Sequence, residues 1–591
     1  MAVIGIDLGT TNSLAVYWKE DHAELIPNVF GEYLTPSVVS LGENEEIIVG
    51  KTAKERLVTH PKSTAAGFKR FMGTSRVYYL KNRPFKAEEL SAMVLKQLKE
   101  DAEQFLGEVV EEAIISVPAY FNDNSRMAVK NAGALAGLKV ERLLNEPSAA
   151  ALAYSKGVEC EEGRSYMVFD FGGGTLDISI VEQFENITEI IAVAGDNMLG
   201  GRDFDIAIAN YFYEKTNLKQ SMLPDHIKAS VLRVAEQCKQ ELSEKEAVTM
   251  QVIVKEDTYQ CTINREQLLR ISDDVFNRIK KVIKKALADS HYTFADTPFM
   301  EQGRGIESSI DQILMVGGSG KMPVVRQYLK YLTKQEMCID MNPDYAIALG
   351  IGVAVGIRQR NEEVRDLVLC DICPFTLGIA VQGTEDRELM SPIIERNSVL
   401  PSSKTERYYA SNINQRYVTI QILQGECRYA DENIKIGELT ILIPQNGIRE
   451  DLLVTFSYDL NSLLNVQVYI ESNKEEHEKV IINQSLKMSP EEIERKANEL
   501  KQLILSNREK EEYNEVLARG NRLYQETNGE LRNIIGKWVE NFQRVLNSGD
   551  LIKIRKAFQR TDEFLKMAEV RQMIILPGEL EEMLYEEEPE E

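Results

Sequence analysis

Histidine, tryptophan and cysteine are scarce in this chain of 591 residues, at five, two and seven copies. The cysteines lack the spacing of a disulfide framework, which points to reduced thiols in a cytosol. One pair, Cys370 and Cys373, has redox or half-metal-site spacing. With no second such pair and so few histidines, buried structural thiols account for it better. Basic charge is short as well: 69 lysines and arginines face 93 acids, for a formal net charge of −24. That balance excludes wrapping nucleic acid, which needs a basic face, and leaves room for basic or neutral apolar partners. Long apolar runs are missing too. The most apolar stretch, Tyr345 to Ile357, is too short and too glycine-rich to span a bilayer. The N-terminus has no basic region before Asp7, so neither a secretory signal nor membrane insertion is expected. What remains is ordinary globular composition, 43% hydrophobic and 27% charged. The length calls for roughly three or four domains.

The most informative stretch runs from Val168 to Ile180. It begins apolar, turns on Gly172, Gly173 and Gly174, and leaves through Thr175 in an apolar/polar alternation. Two strands joined by a tight turn are predicted. Glycines there carry no Cβ, so backbone N–H groups can approach an anion. Asp170 and Asp177 flank the turn, as carboxylates do where a cation sits beside a phosphate. For one copy alone, a glycine-rich hairpin with solvated acids explains the pattern equally well. The chain holds a second copy, though: residues 3 to 18 read as strand, turn, strand around Asp7, Gly9, Thr10, Thr11 and Asn12. Repetition in each half of the first 360 residues suggests duplicated lobes closing on one ligand. Neither copy is a Walker A loop, and the closest candidate, Gly317 to Lys321, has Met322 where Ser or Thr is required.

Strands and helices alternate to about residue 360, as in α/β proteins. A strand over Ala113 to Val117 ends at Pro118, and Asn122 or Asp123 can cap the helix that follows. Residues 228 to 243 have helical periodicity. Ile313 to Val316 reads as a buried strand running into a Gly-Gly turn, with Pro323 in the first turn of the next helix. A charged break at 361–366 precedes the apolar Leu367 to Cys370. From there to about 482 the period becomes two, predicting an antiparallel β domain. Ser489, Pro490 and Glu492 form a capping-box start, and Ile493, Ala497, Leu500 and Ile504 continue it as a helical stripe. Helices are expected to about 575, with breaks near Gly529 and Gly549, before a glutamate-rich tail.

In this order the motifs resemble those of the seventy-kilodalton heat-shock chaperone family, DnaK type, over almost the whole chain. The residues carrying the resemblance are Ile6 to Ser13, Val117 to Asp123, Asn145 to Tyr154, Phe169 to Thr175, Leu199 to Gly201 and Val316 to Ser319, then Asp371 to Gly378 and Leu423 to Glu426. Within the family the chain is most similar to the HscC subtype. The grounds are the shortened segment after Gly73, the Asp371-Ile-Cys-Pro form, and Ser391 to Asn397. The resemblance implies an actin-like two-lobed ATPase domain at 1–360 and an interdomain linker at 361–371. Beyond them it implies a β-sandwich peptide-binding domain at 372–485, an α-helical lid at 486–578 and an acidic disordered tail at 579–591. It also implies ATP and ADP with Mg²⁺, with K⁺ as a further cofactor. Partners would be extended apolar clients, a J-domain co-chaperone and a GrpE-type exchange factor, for a monomeric, cytoplasmic protein.

Carried over residue by residue, Asp7, Gly9, Thr10, Thr11, Asn12, Gly172 to Thr175, Gly200 and Gly201 hold phosphate. Asp7 and Asp170 hold the metal, mainly through water. Lys69 orients the attacking water, assisted by Glu146, with Asp170 and Thr175 in the same catalytic group. Pro118, Arg126, Arg142 and Asp371 match relay or co-chaperone positions. Glu236, Lys239, Gln240, Ser243, Gly317, Gly318, Ser319, Lys321 and Asp344 match the adenosine site. Here the chain departs: Gln240 and Lys321 stand where the family presents arginines to the adenine faces, and Arg202 stands where an acid is usual. Weaker nucleotide binding is expected, since neither replacement stacks as a planar cation. Ile379, Val381, Tyr408, Val418 and Ile420 match the peptide groove, with Gln382 and Ser411 in place of the apolar bridging pair. A more polar groove implies an unusual client set. The competing readings are a sugar- or acetate-type kinase and an actin-like filament protein, neither of which explains the linker, β domain and capped helices.

Overall fold

The computed structural model describes residues 2–571 except 157–162, 295–307, 336, 339–340, 384–386, 414, 461–463, 482–487, 503–509 and 549. The expected acidic tail at 579–591 and Ile504 lie outside the described residues. Two compact units emerge, one of residues 1–39, 65–204 and 272–504, the other of 40–64, 205–271 and 505–591.

The first unit holds two sheets of like plan. In one, the strands run Lys139–Asn145, Val110–Val117, Ala2–Asp7, Asn12–Lys19 and His22–Ile26 in spatial order. In the other they run Met337–Cys338, Gln312–Val316, Arg164–Phe171, Leu176–Phe184, Ile187–Asp196 and Val368–Cys370. The turn-bearing strands occupy equivalent places. Ala2–Asp7 pairs parallel with Val110–Val117 and antiparallel with Asn12–Lys19. Arg164–Phe171 pairs parallel with Gln312–Val316 and antiparallel with Leu176–Phe184. The duplicated unit read in the sequence is therefore a duplicated topology.

The apolar run at 345–357 becomes the Ala346–Arg358 helix, buried on nearly every face. Its glycines explain how it fits: a Cβ on Gly350 would lie 1.7 Å from the Ala149 carbonyl oxygen, and one on Gly356 would lie 2.6 Å from the Trp18 ring. Among the described residues, no helix is long and apolar enough to cross a membrane. The Asp123–Leu135 helix starts as expected, with the Asn122 side chain accepting from the Ser125 N–H at 2.9 Å.

Residues 368–370 form an edge strand, parallel to Ile187–Asp196. Two four-stranded antiparallel sheets follow. They share one core, in which Ile379, Ile422 and Ile436 from one sheet meet Val454, Phe456 and Val466 from the other. Hydrogen bonds tie these sheets to the start of the Asp123–Leu135 helix. Gln424 bonds Asp123 through backbone and side chain at 3.1 and 3.2 Å, and the Tyr458 hydroxyl donates to the Asp123 carboxylate at 3.0 Å. Ser489 caps the Pro490–Gln502 helix, accepting from the Glu492 N–H at 3.1 Å.

In the second unit the helices Glu511–Glu526, Gly529–Asn547 and Leu551–Arg571 pack around Val516, Leu523, Ile535, Phe542 and Leu565. Glu511–Glu526 also lies against the Lys51–Thr59 helix, which packs on Asp225–Glu241. The break expected near Gly529 separates the first two of these helices, and Gly549 lies outside the described residues.

Candidate phosphate and hydrolysis site

The two glycine turns face each other. A Cβ on Gly173 would come within 1.9 Å of the Thr11 hydroxyl, and one on Gly174 within 2.3 Å of the Thr10 methyl. Only glycine permits that approach. The third glycine loop joins from the side: Gly201 and Arg202 donate their N–H groups to the Gly172 and Gly173 carbonyls, both at 3.0 Å. A Cβ on Gly200 would meet the Gly174 nitrogen at 2.4 Å. Gly9, Thr10, Thr11, Asn12, Gly172, Gly173, Gly174, Thr175, Gly200 and Gly201 thus converge on one place. Gly317, Gly318 and Ser319 abut the same turn, with the Ser319 hydroxyl donating to the Gly172 carbonyl at 2.8 Å.

Buried acids surround this junction. Asp170 and Asp177 are directly paired across their strands. Asp7 accepts from the Ser116 hydroxyl at 2.7 Å. The Lys69 ammonium meets Glu146 Oε1 at 2.5 Å, both side chains being buried. Burial first, then the nearby Glu146 charge, pushes Asp7 up to about 6 and Asp177 up to about 7. The same two causes raise Asp170 well above the carboxylate range, with Asp177 and Asp7 adding to them. Four interacting acids thus face one lysine. The Oδ2 atoms of Asp170 and Asp177 are buried without a hydrogen-bond partner. Excess negative charge with orphaned oxygens is a donor set that suits a hard divalent cation. Among the described residues, no group of three or more potential ligands is arranged to grip a metal directly.

Several supporting residues escaped the sequence reading. Arg70 donates through Nε to the Gly174 carbonyl at 2.7 Å and through Nη2 to Asp203 at 2.8 Å, so it staples the triple glycine to the next helix. Ser13 accepts from the Gly9 N–H at 3.2 Å, and Ser37 donates to the Gly9 carbonyl at 2.8 Å. An arginine beside a lysine and two ordinary serines carry no motif; only the fold gives them a target. The Arg202 guanidinium lies over Gly67, where a Cβ would be 2.8 Å from it.

Three of the four positions expected to relay, Pro118, Arg126 and Asp371, are linked by hydrogen bonds. Arg126 donates to the carbonyls of Phe121 and Ala119 and to the Asn145 side chain, at 3.0, 3.2 and 2.6 Å. Asn145 in turn donates to Asp371 at 2.9 Å, and Ser148 joins at 3.1 Å. Pro118 sits at the bend between, its carbonyl accepting from Phe121. Asp371 is buried, so in this conformation it faces the interior rather than a partner. Arg142 lies on the Lys139–Asn145 strand, its Nε buried without a partner.

Of the adenosine-matching residues, Lys321 pairs with Asp344. In the second unit, Glu236 takes Lys54 at 3.3 Å and Gln240 at 3.5 Å, and Lys239 takes Asp205 at 2.7 Å. Ser243 accepts from Arg265 through its carbonyl. Of the groove residues, Ile379 and Ile420 are buried in the β core, and Val381, Tyr408 and Val418 pack on it. The Tyr408 hydroxyl bonds Ser391 at 3.0 Å, and Gln382 and Ser411 are exposed. The described cysteines are free thiols. Cys373 is buried against the Phe375 carbonyl, burial pushing it up to about 12, which suits a structural thiol.

Residues 3–574 match the model of the family described as Hsp70 protein. Members of that family are chaperone ATPases that bind ATP or ADP with Mg²⁺, unfolded clients and J-domain co-chaperones. With facing glycine turns, a buried acid cluster and a match over nearly its whole length, this chain belongs to the Hsp70 family.

Proposed function

We propose that the chain is an HscC-like chaperone that grips and releases extended apolar polypeptide segments, its hydrolysis of ATP being coupled through residues 361–371 to peptide affinity. One observation carries the coupling. Asp371, at the end of the linker, is bonded through Asn145 to Arg126, and the next residue, Glu146, holds Lys69. A change at the linker therefore bears directly on the side chain that carries the charge for hydrolysis.

Phosphoryl transfer demands positioning and charge compensation rather than covalent chemistry. The backbone of the glycine turns and the Thr10, Thr11 and Thr175 hydroxyls hold the phosphates. Lys69 orients the attacking water, and Glu146 keeps its ammonium in place. Asp7 and Asp170 would hold Mg²⁺, which when bound would neutralise charge developing on the phosphate. The more polar groove edge at Gln382 and Ser411 selects an unusual client set. Free thiols agree with a cytoplasmic workplace, and the acidic balance of the chain suits the basic helix of a J-domain partner.

The sugar- or acetate-kinase and filament readings are not favoured, because the family match runs through the β sheets and the C-terminal helices. The test is steady-state ATPase activity with an apolar peptide and a J-domain. Wild type should accelerate, and Asp371→Ala should lose most of the acceleration. A response to a sugar, or to the protein's own concentration, would remove the chaperone reading.

A further inference from the structure

Arg202 is a cation in an unfavourable place. It lies in the first turn of the Gly201–Thr216 helix, the end where the helix dipole favours anions. Its backbone N–H is tied to the Gly173 carbonyl at 3.0 Å, whereas its guanidinium lies over Gly67, two residues before Lys69. Gly67, with φ at 67°, has no Cβ to stand in the way. The nearest acid along the chain, Asp203, is taken by Arg70 at 2.8 Å.

A second arginine approaches from the hairpin of Val77–Leu80 and Arg83–Lys86. Arg76, just before the first of these strands, holds its guanidinium 3.8 Å from the Phe71 ring centre and 5.1 Å from that of Tyr78. Among the described residues, neither the Arg76 nor the Arg202 guanidinium has an acid for a partner. Two such arginines stand out in a chain of net charge −24. Tyr78 feels both of them: burial pushes its hydroxyl up, and the Arg76 and Arg202 charges pull it back. That hydroxyl is buried without a hydrogen-bond partner. A buried donor left unbonded weighs against the fold until a ligand meets it.

Planar arginine forks with a phenol donor beside them suit a tetrahedral oxyanion. The position of the cluster points to its source. Lys69 marks the end of the hydrolysis site where water attacks, so the phosphate cut from ATP departs there. Lys69 and Arg70 are engaged by Glu146 and Asp203, whereas Arg202 beside them is not engaged.

We propose that Arg202, Arg76 and the Tyr78 hydroxyl form a second anion site, which receives the inorganic phosphate leaving the hydrolysis site. Phosphate from solution is the same oxyanion and fills the same place. When it does, the way out for product is blocked while the way in for ATP stays open. This proposal rests on the ATPase reading above.

Two measurements on the full chain separate the two sources. In the first, a non-hydrolysable ATP analogue fills the hydrolysis site, and inorganic phosphate is titrated at constant ionic strength, followed by phosphorus NMR. Wild type should still bind one phosphate, and sulfate should displace it. Arg202→Glu should weaken that binding by about 100-fold through reversal of a charge in contact with the anion. Tyr78→Phe should weaken it by about fivefold, the loss of one hydrogen bond. In the second, added phosphate inhibits steady-state ATP hydrolysis. Inhibition should be noncompetitive with ATP in wild type and largely absent in Arg202→Glu. No phosphate bound by the loaded wild type, or equal binding in Arg202→Glu, would overturn the site. Inhibition competitive with ATP, or none at phosphate levels that fill the site, would overturn its place on the product's route. If Arg202→Glu loses its far-ultraviolet circular dichroism, Arg202→Lys and Tyr78→Phe replace it, and undiminished binding in both overturns the site. If wild type hydrolysed no ATP, the ATPase reading would fall instead, and the first measurement would still report on the anion site.

Discussion

Lys69 has no signal of its own in the sequence, being one lysine among many. Burial beside Glu146, within a cluster of acids, sets it apart from the others. Lys69→Met should lower the single-turnover rate of ATP hydrolysis by about 10²–10³-fold, the usual scale for one preorganised charge. ADP affinity by calorimetry should stay within about threefold, as the glycine turns are untouched. At the adenosine-matching positions, Lys321 spends its charge on Asp344, and Gln240 carries none. Gln240→Arg with Lys321→Arg should tighten ADP binding by about tenfold through regained cation–π stacking. Unchanged affinity would sink that account.

Elements show where local chemistry and long-range pairing diverge. Caps at Asn122 and Ser489 and the Pro323 start were legible because each is satisfied within a few residues of itself. The edge strand at 368–370 was legible only as a composition change, since its strand partner lies some 180 residues away. Its Val368 N–H donates to the Asn186 carbonyl at 2.9 Å. Val368→Pro removes that donor and should uncouple the edge strand. Peptide stimulation of the ATPase should then fall to near nothing while the unstimulated rate persists. In the C-terminal helices, burial raises Glu515 to about 7 despite Arg519. The sign follows directly: the folded chain holds this proton more tightly than the unfolded one. Stability is therefore lost as pH rises from about 4.5 through about 7. Glu515→Gln should raise the melting temperature of these helices by about 2–5 °C at pH 8 and barely change it at pH 5, read by calorimetry.

At the scale of the molecule, the β sheets meet the Asp123–Leu135 helix through Asp123, whose carboxyl burial has raised. Gln424 and Tyr458 satisfy it. Gln424→Ala with Tyr458→Phe leaves a buried carboxylate poorly paired, at a cost of about 1–3 kcal/mol. That should shift the balance away from this docked arrangement by roughly 5- to 100-fold. The measurement is ATP-triggered release of a bound fluorescent peptide, which should slow; unaltered release would mean these bonds do not set the docked state.

The two glycine turns, the change of period near residue 370 and the helical C-terminus could be read from the sequence alone. Each rests on spacing within a dozen residues, where glycine geometry, period and capping act locally. The acid cluster around Lys69, the Arg70 staple, the Asp371–Asn145–Arg126 chain and the approach of Arg202 to Gly67 and Tyr78 were decided by tertiary structure. Their partners lie scores to hundreds of residues apart, and a charge's meaning depends on what desolvates it and what stands opposite. No periodicity encodes either.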